Sequence, residues 1–72
     1  MNKNLEAQAE RLDKIAEELE RAAAHARTAS AHFRAGEVPR GCAHKVALDG
    51  HLVSVKMLAD EIAAVHSTQA VP

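Results

Sequence analysis

Between Asn4 and Phe33, apolar residues return at fixed intervals. Leu5, Leu12, Leu19, Ala26 and Phe33 stand seven apart, and a second row, Gln8, Ile15, Ala22 and Ala29, follows three residues later with Ala9, Ala16 and Ala23 beside it. A heptad seam of this kind belongs to an amphipathic helix that packs lengthwise on another. The stretch contains no Gly or Pro and is rich in Ala, Glu, Leu, Arg and Lys, so helix propensity agrees with the pattern. Helix 1 is expected over about 4–34. Leu and Ile fill the early part of its seam, whereas residues 22–31 offer mostly small side chains that let another helix approach closely. Asn4 or Asn2 can cap the start, and Glu6 and Glu10 sit well near the positive end of the helix dipole.

Gly36 can take the left-handed conformation that ends a helix, and Pro39 pushes Val38 towards an extended conformation, so a bend is expected at 35–38. Pro39 suits the first turn of helix 2, expected over about 39–67 with a short tail at 68–72. Its apolar row, His44, Leu48, His51, Val55, Leu58, Ile62 and Val65, advances in alternating steps of four and three, flanked by Leu52 and Ala59. A connection this short makes the helices antiparallel neighbours, each spanning roughly 42–45 Å. The fold class is all-α, a helical hairpin. Because one hairpin leaves half of each seam in water, it is expected to dimerise into a four-helix bundle with Leu12, Ile15, Leu19, Leu48, Val55, Leu58 and Ile62 inside. In outline the chain resembles the small plasmid-copy-control RNA-binding hairpins that dimerise into such bundles; the likeness is architectural and rests on no shared motif. Helix 2 carries a second apolar patch opposite its seam, where Val46, Val53 and Met57 are candidates for a further contact, with Cys42 and Ala64 nearby.

Composition sharpens the case for assembly. Apolar residues make up 47% of 72 positions, but 16 of them are alanine, and there is one Phe, no Trp and no Tyr. A core this thin, with a single cysteine and so no internal disulfide, calls for a partner, a metal or a second copy. The polar start and the lack of a long apolar run point away from a signal peptide or a membrane span, and the chain reads as cytoplasmic.

Charge is nearly balanced overall, at −1, but it is segregated: residues 1–20 carry a net −3, residues 21–45 a net +4, and the remainder −2. The bend end is therefore basic and the open end acidic. Arg34, Arg40 and Lys45 are candidates for holding an anion there. The overall balance argues against a nucleic-acid partner, and Phe33, the one aromatic at the basic end that could stack on a base, is expected to be claimed by the seam.

Five histidines are present. His25 and His32 are seven apart on helix 1, His44 and His51 are seven apart on helix 2, and folding about residue 38 sets His32 level with His44 and His25 level with His51. The wheel places His44 and His51 inside the seam and His25 and His32 on its flank. If two hairpins pair antiparallel, His32, His44 and the second copy's His66 can meet, with Cys42 as a fourth ligand for zinc or another transition metal. The plainer reading makes these histidines polar seam and flank residues. Cys42, beside Arg40 and His44 near the start of helix 2, is a candidate reactive thiol or simply a small packed residue.

No phosphate loop, nucleophile elbow or apolar carboxylate pair is present, so no enzymatic activity is expected. Three functions remain: a small homo-oligomeric interaction or adaptor module, a histidine- and cysteine-based metal or cofactor binder, and a small RNA-binding bundle using the basic bend. The first is preferred. It implies no cofactor, self-association as a dimer or tetramer, and room for a protein partner on helix 2.

Overall fold

The computed structural model describes residues 3–70, with side chains placed for 4–65. Two helices, α1 (Lys3–Arg34) and α2 (Val38–Ala70), fold back on one another as an antiparallel hairpin, and no strand occurs among the described residues. The α2 backbone continues beyond the expected end at 67.

The turn is built by backbone hydrogen bonds that follow from one glycine. Gly36 adopts φ +78°, a conformation that costs a residue without Cβ nothing. This directs the Gly36 N–H to the Phe33 carbonyl at 3.0 Å and the Glu37 N–H to the His32 carbonyl at 2.8 Å. These are the two bonds of a Schellman motif, which satisfy the last carbonyls of α1. The carbonyl of Glu37 then accepts the Gly41 N–H at 3.0 Å and starts α2 at Val38. Val38 is thus helical and not extended as its place before proline suggests, and Pro39 falls in the first helical turn, which does not use the N–H that proline lacks.

The seam of α2 consists of His44, Leu48, His51, Val55, Leu58, Ile62 and Val65, all half-buried. On α1 the residues facing it are Gln8, Arg11, Ile15, Glu18, Ala22, His25, Ala29 and His32, all buried or half-buried. The expected row 8, 15, 22 and 29 is kept, but its companion row is 11, 18, 25 and 32. Leu5, Leu12, Leu19 and Phe33 are displaced to the flank, about 70° round the helix from the middle of the seam, and are 45–62% exposed. His25 and His32 correspondingly move from the flank into the seam. This rotation brings Glu18 to His51, His25 to His44 and Arg11 to Glu61, and Ala22 and Ala29 allow close approach.

Little is buried as a result. Ala22 and Ala29 are the buried apolar residues among those described, and no large side chain is fully enclosed. The hairpin measures 56 × 21 × 12 Å, one helix thick and two wide. Its radius of gyration, 16.6 Å, compares with about 11 Å for a compact domain of this length.

Candidate functional site

Within the seam the four central histidines form a ladder whose rungs alternate between helices. At the bend, His32 Nδ1 donates to Glu37 Oε1 at 3.1 Å. The His32 ring stacks on His44, with centroids 5.4 Å apart and planes 20° from parallel. His44 Nδ1 lies 2.9 Å from His25 Nδ1, a hydrogen bond in which one nitrogen donates and the other accepts. His25 stacks on His51, again at 5.4 Å and 20°, and His51 Nδ1 donates to Glu18 Oε2 at 2.5 Å. A continuous line of contacts thus runs Glu37, His32, His44, His25, His51, Glu18, with a carboxylate at each end.

The i,i+7 spacing on each helix creates this arrangement, because antiparallel packing interleaves two such pairs when their registers agree. The level pairs expected from sequence, His32 with His44 and His25 with His51, are the two stacked pairs. Glu18, only 9% exposed, was not anticipated in the site. The signal was present, since Glu18 stands seven residues before His25, but the leucine row drew the seam elsewhere.

The hydrogen bond from His51 holds the Glu18 carboxyl below the usual carboxylate range, helped by the charges of His51, Arg21 and Lys14 and opposed by burial. Near the other end, Glu37 is shared between His32 and Arg40, whose Nη1 donates at 2.8 Å. Lys45 is raised above its usual value by its 2.7 Å hydrogen bond to Asp49 and by the charge of that carboxylate.

The remaining candidate residues lie apart from the ladder. Cys42 is exposed and stands two residues before His44, about 160° away round α2. The His66 side chain lies outside the described residues, so the expected set of His32, His44, His66 and Cys42 is seen only in part. Among the described residues no group of three or more His, Cys, Asp or Glu side chains is placed to hold a metal ion. Of the basic trio, Arg40 and Lys45 are engaged by Glu37 and Asp49, and Arg34 is exposed. Val46 and Val53 are exposed on the back of α2, away from the seam, and Met57, also exposed, lines a groove beside Lys14 and Glu18 of α1. Ile15, Leu48, Val55, Leu58 and Ile62 are half-buried between the helices, whereas Leu12 and Leu19 face outward.

A second surface belongs to the flank. Phe33 lies against Gly41, so closely that a Cβ on Gly41 would come 2.7 Å from its ring. This places the row Leu5, Leu12, Leu19 and Phe33 on the side of the hairpin that α2 completes with Leu52 and Ala59. A shallow, open groove lined by Lys14, Glu18, Ser54, Met57, Leu58 and Glu61 runs along the opposite side.

No helix among the described residues is long and apolar enough to cross a membrane. Comparisons of the chain with protein-family models, with curated proteins and with solved structures found no match.

Proposed function

We propose that this chain is a helical self-assembly module whose leucine flank pairs with that of a second copy to form a four-helix bundle. The observation that carries the reading is the inversion of the apolar pattern: Ala22 and Ala29 are buried while Leu5, Leu12, Leu19, Phe33 and Leu52 are 45–62% exposed. The area agrees. The hairpin exposes 5279 Å², whereas a folded monomer of 7.7 kDa is expected to expose about 4,300 Å². The excess is on the order of the 800 Å² that each partner contributes to a stable interface. A second copy supplies a matching heptad row, and pairing of identical patches closes the assembly at two.

Sedimentation equilibrium at micromolar concentration tests this. A mass twice that of the chain is expected, and Leu12→Glu with Leu19→Glu should shift it to monomer with loss of helicity. A wild-type chain that sediments as a cooperatively folded, fully helical monomer would sink the reading.

A further inference from the structure

The ladder has a property that concerns the inside of one hairpin and holds whether or not two copies pair. We propose that it makes the hairpin acid-sensitive: the seam is closed while His25 and His44 share a single Nδ1 proton in their mutual hydrogen bond, and opens when each carries its own.

The argument is one of partners. Two carboxylates, Glu37 and Glu18, each accept from an imidazole Nδ1 at an end of the ladder. Protonating His32 and His51 therefore puts each new cation against an anion and brings the six-residue line to neutrality. The next two protons have only His25 and His44 to go to. In the ladder these face imidazoles: His25 meets His44 and His51, and His44 meets His25 and His32. A proton on both Nδ1 atoms removes the acceptor from a 2.9 Å contact and sets two N–H groups and two cations against one another. Each is also stacked on an imidazolium. The nearby carboxylates have other partners: Asp49 bonds Lys45, Glu37 is divided between His32 and Arg40, and Glu18 holds His51. Lys14 and Arg21 on α1, whose charges reach Glu18, add positive charge, while Lys45 and Arg40 on α2 are taken up by Asp49 and Glu37.

The unfolded chain faces no such limit, and its histidines take up protons around pH 6.5. A proton on each of His25 and His44 costs the closed hairpin its central hydrogen bond and costs the unfolded chain nothing, so stability falls with pH once both are called for. Beside the ladder the buried apolar residues of α1 are Ala22 and Ala29, so little packing there resists the repulsion.

The test uses the full chain at fixed concentration and salt, with melting followed by circular dichroism. Between pH 7.5 and 5.0 the wild-type melting temperature should fall by about 8 °C or more. In His25→Gln/His44→Gln, whose amides donate and accept without charging, it should hold level or rise, because His32 and His51 still face Glu37 and Glu18. A wild-type melting temperature unchanged over that range, or a double variant that loses as much as wild type, overturns the proposal. Should the variant fail to fold, ¹⁵N shifts of the wild-type imidazoles decide. Loss of inter-helix contacts together with the second Nδ1 proton supports the switch; uptake of that proton with the helices still packed overturns it.

Discussion

Two glycines in the interior of α2 meet opposite surroundings, and that difference fixes what a methyl group would do at each. Gly50 has open space where a Cβ would go, so Gly50→Ala should stabilise the fold by about 0.5–1 kcal/mol through helix propensity alone. At Gly41 the same Cβ would lie 2.7–2.9 Å from the Phe33 ring. Gly41→Ala must push that ring away, and its melting temperature should lie below that of Gly50→Ala. Glu18 gives a pH prediction. Its folded carboxyl is held below the ordinary value by His51, so the contact stabilises the hairpin above that value and is lost only as pH falls through the folded one. In the His25→Gln/His44→Gln background, stability should persist to about pH 4.5 and then decline, and Glu18→Gln in that background should flatten the decline in melting curves at pH 5 and pH 3. The stacked histidine pairs were readable from the sequence because spacing alone sets them level. Glu18 was not, because a glutamate among other glutamates on a helix carries no mark of burial until its partner is known.

The two helices differ in how far sequence determines their inward face. On α2 the steps of four and three from His44 to Val65 define one row, and the structure uses it. On α1 the apolar arc spans three adjacent rows, those of Ile15, Leu12 and Ala16, and one neighbouring helix can cover only part of it. Polar pairing then decides the rotation. The pattern showed which residues are apolar but not which edge of a broad stripe a single partner takes. Gln8 and Arg11 show the cost of that choice: both amide atoms of Gln8 and one guanidinium nitrogen of Arg11 are covered without a hydrogen-bond partner among the described residues. Replacing the seam pair by two apolar residues tests this account. Glu18→Leu alone leaves His51 against a hydrocarbon and should lower the melting temperature. Glu18→Leu with His51→Leu should recover or exceed the wild-type value, since a buried ion pair is often matched by well-packed apolar residues.

At the scale of the whole molecule, charge selects how two hairpins would meet. Beside the leucine flank runs a row of exposed residues, each directly after a member of that flank: Glu6, Asp13, Glu20, Arg27 and Arg34. It is acidic towards the open end and basic towards the bend. Laid parallel on its copy, the row sets like charge against like along its whole length. Laid antiparallel, its acidic half meets a basic half, and the net +4 of residues 21–45 lies beside the partner's acidic open end. Each exposed pair contributes only ~0–1 kcal/mol, but the signs act together on orientation. An antiparallel dimer is therefore expected. A spin label at Ala35→Cys in a Cys42→Ser background should report the two bends roughly 40 Å apart, about one helix length. The preference should weaken in 1 M salt, where screening shortens to about 3 Å. Arg27→Glu with Arg34→Glu, which makes the row acidic throughout, should weaken the dimer in both orientations. A dominant distance below about 20 Å in low salt would mean that the bends are neighbours and that leucine packing, not charge, sets the direction of the bundle.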